Sequence, residues 1–391
     1  MKSRNPFVLT FLIAALVAIV VCSFHNYREL NRPGVRWENA GIDALSQHNA
    51  AIAKTDWIRG TVADPSYAGN FERLGDLGLS LGDKEQSAKF FNKTVYLAPE
   101  NTDADIKACR ADLAVGDFPS AEAAARDAIK NGHDTADAEE YLGVAAEEQR
   151  NSLVSLPALK KAHDLAPTNN DYLIGYTSVL IDLDKTDEAE PLIRGYLTNN
   201  PEDAHANYML SVILSKKSPT PQTLQEMVRY GTIAVDRDQT KPEYWNLLAD
   251  TYLRLGKPVQ AKAAYWRAYR IDRTSEAALQ GLVTTLAATR DLKGADKASS
   301  VLIKVITLHH AIDDLQLKNE ADPHDVVSGI KLGNLKELDQ KPMAAQKVYT
   351  SLLENNPSDQ RARAALEGFF ARTGHPDLAV AAKNYNPSNN Q

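Results

Sequence analysis

The chain has 391 residues, of which 43% are apolar and 24% are charged, and its formal net charge is −7. This composition is typical of a folded protein. The excess of acidic side chains argues against a nucleic acid as the main ligand, because binding to phosphates depends on clustered Lys and Arg. Two cysteines, Cys22 and Cys109, are too few for a disulfide framework, and we expect Cys109 to be a small buried side chain.

The chain begins with an apolar segment. Residues 7–24 carry no charge and follow two basic residues. As an α-helix this segment would be about 27 Å long, close to the hydrocarbon thickness of a bilayer. We therefore interpret residues 1–25 as an N-terminal transmembrane anchor. A cleaved signal peptide is the alternative, since Val21 and Ser23 are tolerable before a cleavage site.

The orientation of this segment is less clearly encoded. Three arginines follow the apolar segment, so the distribution of basic residues does not favour export. A short basic start before one early apolar segment is nevertheless typical of exported chains. We expect a single-pass protein of a bacterial envelope with its body on the periplasmic or extracytoplasmic side.

Residues 26–67 are expected to form a connector with irregular helices. Arg32-Pro33-Gly34 is typical of a turn, and the apolar residues between Ile42 and Ile58 recur at helical spacing.

A 34-residue period dominates the rest of the chain. Its blocks begin at Ala68, Thr102, Ala136, Asn170, Ala204, Pro242, Glu276, Val326 and Gln360. A small residue recurs at one offset, as Ser87, Ala121, Ser155, Ala189, Ala261, Ala295, Ala345 and Ala379. A unit of two helices and a turn cannot bury its apolar face alone and must stack on its neighbours.

Two blocks depart from this period. The block that begins at Ala204 has 38 residues, and its extra length fits the turn-rich sequence between Lys216 and Pro221. The block that begins at Glu276 has about 16 extra residues, for which we predict a longer second helix through Val301 to Leu317. After residue 385 the polar residues 386–391 are expected to be a disordered tail.

The clearest unit runs from Pro242 to Ser275. It contains Trp245, Leu248, Ala249, Tyr252, Gly256, Ala261, Tyr265 and Ala268. This order resembles the tetratricopeptide repeat, and other units keep parts of it, such as Leu74-Gly75 and Leu332-Gly333. The resemblance implies an all-α fold over residues 68–385, a right-handed α-solenoid of about nine helix-turn-helix units behind the N-terminal transmembrane helix.

In proteins of this family the first helices line a concave surface that binds proteins or peptides. The resemblance implies a groove here that includes Glu72, Asp76, Arg110, Glu140, Glu147, Ile174, Tyr208, Asn246, Asp250, Gln280 and Asn334. The early units are acidic, so a basic or amphipathic segment is the favoured partner, although for any one residue a solvated surface is as reasonable. Asp250 stands where the family's clamp for C-terminal carboxylates needs a donor, so that ligand is not supported.

The sequence contains only weak matches to motifs for phosphate binding, metal binding or catalysis. The glycines between Leu74 and Gly82 lack the Gly-Lys-Ser/Thr ending of a phosphate loop and fall at glycine positions of the repeat. His309 and Asp313 share a helical face, but no further ligand completes a metal-binding spacing, and a solvated surface is favoured. His205, His324 and His375 lie near helix starts or turns without an evident partner. We predict no cofactor, no metal and no catalytic residues.

The sequence as a whole predicts a membrane-tethered scaffold or assembly factor that binds other proteins. A soluble exported repeat protein is the alternative, once the N-terminal segment is removed. An enzyme that uses the groove is less favoured, because Glu140 and Glu147 are seven residues apart and suit a surface better than a catalytic pair.

Overall fold

The computed structural model describes residues 31–217 and 220–384, and within these ranges every regular element is an α-helix. The chain divides into two compact units, residues 1–192 and 193–391, which we describe separately. The first unit contains α1 (Pro33–Ser46), α2 (Ala50–Ala63), α3 (Ala68–Ser80), α4 (Lys84–Leu97), α5 (Thr102–Val115), α6 (Phe118–Lys130), α7 (Ala136–Glu148), α8 (Ser152–Leu165) and α9 (Asn170–Asp182). The boundary falls inside α10 (Thr186–Asn199).

The second unit has the same pattern of short helices in pairs. It contains α11 (Ala204–Lys216), α12 (Pro221–Arg237), α13 (Pro242–Arg254), α14 (Pro258–Ile271), α15 (Glu276–Ala288), α16 (Leu292–Ala321), α17 (Val326–Leu338), α18 (Pro342–Asn355), α19 (Gln360–Arg372) and α20 (Pro376–Lys383). The first residue of each repeat block is the first residue of a helix, which confirms the period. Odd-numbered helices are the first helices of their pairs, and even-numbered helices are the second.

Short polar side chains define where the helices begin. An Asn, Asp, Ser or Thr at the N-cap accepts a hydrogen bond from a backbone N–H of the first turn, which would otherwise lack a partner. These residues are Asn49, Asp83, Asn101, Asp117, Thr135, Asn169, Asp203, Thr220, Ser275, Asp291, Asp325 and Asp359. Several other helices begin with a proline, whose missing N–H costs nothing there.

The cores of the pairs explain the repeat signature. All eight predicted small residues are buried, and each lies on the second helix of its pair. The glycine of the first helix leaves room for a large side chain of the second: a Cβ atom on Gly75 would lie 2.7 Å from Cε1 of Phe91, and Gly333 faces Tyr349 in the same way. Close helix crossings therefore require these residue types at this spacing.

Within residues 31–67 the structure has the helix pair α1–α2, in the segment for which the sequence predicted a connector with irregular helices. Asn49 caps α2, and His48 has a φ of 59°, so the chain turns sharply between α1 and α2. Trp57 is buried and donates from Nε1 to the carbonyl of Glu38 at 3.1 Å. The pair packs on α3 and extends the stack.

The predicted long second helix is confirmed. α16 has 30 residues, against 13 or 14 in most of the other helices. Within the described ranges, no helix combines the length and the apolar character that a bilayer crossing requires. The predicted anchor (1–25) and tail (386–391) lie outside the described residues.

Candidate partner-binding surface

Neighbouring first helices contact one another within each compact unit. These contacts join α1 to α3, α5 to α7 and α7 to α9 in the first unit, and α11 to α13, α13 to α15 and α17 to α19 in the second. The first helices joined by these contacts therefore lie side by side. We call the surface that they form in each unit its wall. All of the predicted groove residues lie on these helices.

In α3 and α5, the predicted acidic residues are already paired with a cation. Lys107 Nζ lies 3.0 Å from Glu72, 3.2 Å from Asp76 and 2.9 Å from Asp103. Partial burial alone would lower the pKa of Lys107, but hydrogen bonds to the three carboxylates raise it. The sequence interpretation missed Lys107, although its spacing of four from Asp103 was a usable signal. Part of the acidic charge is thus compensated.

In α7, two predicted groove residues have raised pKa values, whereas Glu139 of the same helix is paired with Lys161 at 2.9 Å. Glu140 is half-buried, and burial together with Asp137 and Asp171 raises its pKa to about 7. Burial, Asp182 and a neighbouring glutamate likewise raise the pKa of half-buried Glu147 to about 7. Among the ion pairs of the described residues, none involves Glu140 or Glu147. We call Asp137, Glu140, Glu147, Asp171 and Asp182 the acidic strip.

One hydrogen bond fixes an end of this strip. Tyr172, a buried residue of α9, donates from its hydroxyl to Oδ1 of Asp137 at 2.5 Å. Burial and this carboxylate raise the pKa of Tyr172, so the phenol keeps its proton. Arg110 is exposed and Ile174 is half-buried, so the strip has a cation and an apolar side chain on neighbouring first helices.

The sequence interpretation did not single out two fully buried carboxylates on α5. Both oxygens of Asp105 lack a hydrogen-bond partner, and burial together with Asp127 raises its pKa to about 6. Burial raises the pKa of Asp112 to about 7, although Asn92 donates to its Oδ1 at 2.9 Å. Both face neighbouring helices and are 0% and 1% exposed, so they belong to the core.

The second unit places aromatic rings on the wall. The Tyr208 ring stacks on Tyr244 with centroids 4.6 Å apart, and His205 Nδ1 lies 3.2 Å from the Tyr244 hydroxyl. The expectation that His205 has no partner was therefore wrong. The same holds for His324, whose Nδ1 lies 3.0 Å from the carbonyl oxygen of Asn355.

Two predicted groove residues have a structural partner inside their own helix pair. Asp250 accepts a hydrogen bond from the Tyr265 hydroxyl, and Asn334 Oδ1 accepts one from the Tyr349 hydroxyl at 2.7 Å. These tyrosines occupy the same repeat position, so the ninth residue of the unit serves to satisfy a nearly buried phenol.

Two further predicted groove residues differ in their surroundings. The amide oxygen of Asn246 is buried and lacks a hydrogen-bond partner, while its Nδ2 lies 3.5 Å from the Ser275 hydroxyl. Gln280 is exposed. The groove assignment as a whole stays a prediction.

His309 also differs from the expected solvated residue. Its Nδ1 lies 2.5 Å from Glu276 and its Nε2 lies 2.8 Å from Asp339, so its partners come from α15 and from the end of α17. The described residues hold no cluster of three or more His, Cys, Asp or Glu side chains that suits a metal ion.

Tetratricopeptide repeat models match three segments of the chain, residues 69–101, 107–170 and 242–275. Among solved structures, a tetratricopeptide repeat protein from Parabacteroides merdae is 10% identical with a TM-score of 0.49, and the alignment covers 66% of this chain and all of that one. MamA from Desulfovibrio magneticus is 16% identical with a TM-score of 0.39, over 44% of this chain and 96% of that one. Human IFIT1, solved as a dimer with m7Gppp-AAAA, is 13% identical with a TM-score of 0.47, over 86% and 84%. No curated protein matches the sequence.

Proposed function

Because this chain belongs to the tetratricopeptide repeat family, we propose that it is a membrane-tethered scaffold or assembly factor that binds another protein, or a peptide segment of one, on the walls formed by its first helices. In this proposal the chain acts by binding, without catalysis of its own. Side chains on several adjacent helices can contact an extended or helical segment at once, which suits a partner that is itself a protein.

The acidic strip carries the proposal of a basic or amphipathic partner. Its five carboxylates come from only two helices, and burial together with mutual repulsion holds the pKa of Glu140 and Glu147 near 7. A Lys or Arg side chain placed against them would relieve this repulsion and favour the ionised carboxylates. Binding should therefore release protons and grow stronger as the pH rises through 7.

The membrane tether is proposed from the sequence. Residues 7–24 are apolar and uncharged, and they precede the first described helix pair by only a short segment. A tether would confine the repeats to the membrane surface and raise the effective concentration of partners there. We propose that the body lies on the periplasmic side. N-terminal sequencing of the mature chain separates this proposal from a soluble exported protein, because only the latter has lost residues 1–23.

The experiment that tests partner binding is affinity capture from membrane extracts with three versions of the full chain. The double variant Glu140→Gln and Glu147→Gln removes two negative charges from the acidic strip. The control, Asp313→Asn and Asp314→Asn, removes the same charge from an exposed face of α16. We expect the first variant to lose captured proteins with basic segments, while the control keeps them. Equal capture by all three versions would contradict the role of the strip.

A defined probe tests the proton linkage. We expect a synthetic lysine–leucine helical peptide to bind the unaltered chain more tightly at pH 8 than at pH 6. The ionised fraction of a carboxyl group with a pKa near 7 rises from about one tenth to about nine tenths over this range. Calorimetry should show proton release for the unaltered chain and little for the Glu140→Gln, Glu147→Gln variant. Binding that is independent of pH would rule out this linkage.

A further inference from the structure

The length of α16 changes how the last helix pairs meet the rest of the second unit. Its 30 residues make it about 24 Å longer than a 14-residue second helix. As a result, the turn after α17 reaches the loop between α14 and α15: the Thr274 hydroxyl lies 3.5 Å from the carbonyl oxygen of Asp339, 65 positions along the chain. The end of one first helix thus meets the beginning of another.

An open cavity of about 460 Å³ lies at this junction. Its lining includes Thr274, Ser275, Glu276, His309, Asp339 and Lys341. The imidazole of His309 connects the two sides, with Nδ1 at 2.5 Å from Oε1 of Glu276 and Nε2 at 2.8 Å from Oδ1 of Asp339. One side chain in the middle of α16 therefore joins the start of α15 to the end of α17.

The protonation state of His309 decides whether both contacts are favourable. A neutral imidazole has one N–H and one lone pair, so it can donate to only one carboxylate and presents its lone pair to the other. An imidazolium donates to both. We propose that His309 is a pH-sensitive latch between α15 and α17, closed when the imidazole is protonated and weakened when it loses its proton.

The surrounding charges set the direction of the effect. Asp272 and Glu276 line the cavity from one side, Asp339 and Lys341 from the other, and exposed Asp313 lies one turn further along α16. Partial burial alone would lower the pKa of His309, but hydrogen bonds and attraction from Glu276 and Asp339 raise it above its ordinary 6.5. Burial alone would raise the pKa of Asp339, yet Lys341, at 2.6 Å, and His309 hold it below 3.8.

The pH window of the latch follows from these two directions. The contribution of His309 to the unfolding free energy is fully present below pH 6.5, and it is lost as the pH rises through the higher pKa of His309 in the folded chain. The Asp339 contribution is present above pH 3.8 and is lost as the pH falls through its lower folded pKa. The latch is therefore closed in mildly acidic solution and opens as the pH rises through the folded pKa of His309, which lies above 6.5.

The test compares thermal unfolding of the full chain with the variants His309→Gln and His310→Gln between pH 5.5 and pH 9. His310 is the exposed neighbour of His309 and serves as the control. We expect His309→Gln to lower the Tm by a few degrees at pH 6 and by clearly less at pH 9, and His310→Gln to follow the unaltered chain throughout. A His309→Gln deficit that is the same at both pH values would overturn the proposal, as would an equal effect of His310→Gln.

A second measurement keeps the proposal testable if His309→Gln does not fold. The ring carbon signals of labelled histidines, followed by NMR, report the titration of His309 directly. We expect its midpoint to lie above the ordinary 6.5 and to fall in a Glu276→Gln variant, which loses one carboxylate acceptor but keeps the hydrogen-bonding shape. A His309 midpoint at or below 6.5 would overturn the latch.

Discussion

The helix pairs α5–α6 and α13–α14 place different side chains at the same repeat positions. At the fourth position of the unit, α5 has the buried carboxylate Asp105, whereas α13 has Trp245, which packs against the apolar core. At the twenty-fourth position, α6 has Ala125 and α14 has Tyr265, both buried. The period therefore fixes where a side chain lies, while the residue type decides whether the pair is held by large rings or by close contact of small residues.

This difference has an energetic consequence. The aromatic pair buries large apolar surfaces, which stabilise it at any pH. The alanine-rich pair has less apolar volume to bury and contains Asp105 and Asp112, whose raised pKa values make its stability depend on pH. Variants at matched positions can separate these two modes of packing.

The largest effect is expected where both pairs are alike, at the small residue of the helix crossing. Ala121 and Ala261 are both 0% exposed, so Ala121→Arg and Ala261→Arg would bury an unpaired charge in either unit. We expect each to cost about 4 kcal/mol or more of unfolding free energy, measured in urea. The control Ala287→Arg, on an exposed site of α15, should cost little. Stable, fully folded Ala121→Arg and Ala261→Arg variants would mean that the crossing tolerates a large side chain.

The next effect should appear only in the alanine-rich pair. The folded pKa of Asp105 is about 6, above its ordinary 3.8. The contribution of the protonated carboxyl group to the unfolding free energy is therefore fully present below pH 3.8 and is lost as the pH rises through 6. Asp105→Asn removes the ionisation and should stabilise the chain by about 3 kcal/mol at pH 8, with a much smaller gain at pH 4. Urea unfolding at both pH values measures this difference.

An exposed aspartate provides the control for Asp105. Asp236→Asn, on the surface of α12, should change the unfolding free energy little at either pH. If Asp105→Asn gains the same stability at pH 4 as at pH 8, ionisation of Asp105 is not the cause.

A smaller effect is expected from the glycine that faces a large ring. A Cβ atom on Gly75 would lie 2.7 Å from Phe91, whereas a Cβ atom on Gly195 would meet nothing within 4 Å. We expect Gly75→Ala to cost about 1–3 kcal/mol, because the ring must move. Gly195→Ala should instead add about 0.5–1 kcal/mol through helix propensity. Thermal unfolding of both variants compares them directly. A gain of stability in Gly75→Ala as well as in Gly195→Ala would show that helix propensity outweighs packing at Gly75.

The sequence predicted local features of the fold better than contacts between distant segments. Helix starts at Pro242 and Glu276 followed from the period, and the extra length before Val326 correctly indicated a long second helix. The meeting of Thr274 with Asp339 was not predictable, because it depends on how far that helix carries the next pair along its axis.

The candidate surface was accessible from the sequence only in part. Glu140 and Glu147 are seven residues apart, and two helical turns bring them to the same face of α7. The role of Asp250 as acceptor for the Tyr265 hydroxyl was missed, because a charged residue at an expected inner position was interpreted as a ligand contact. Polar side chains on such a wall serve the partner and the repeat itself, and spacing alone does not separate these roles.

The smallest effect concerns the turns inside the pairs, where the backbone must enter the left-handed region. Gly256 does so with a φ of 67°, but Arg150 and Arg290 do so with φ values of 57° and 65°. Residues other than glycine are strained in this backbone conformation. We therefore expect Arg150→Gly in the first unit and Arg290→Gly in the second to add about 0.5–1 kcal/mol each to the unfolding free energy. The reciprocal change Gly256→Ala should cost a similar amount. Urea unfolding of the three variants would reveal the two signs, and a loss of stability in both Arg→Gly variants would mean that the arginine side chains contribute more through their contacts than the strained backbone costs.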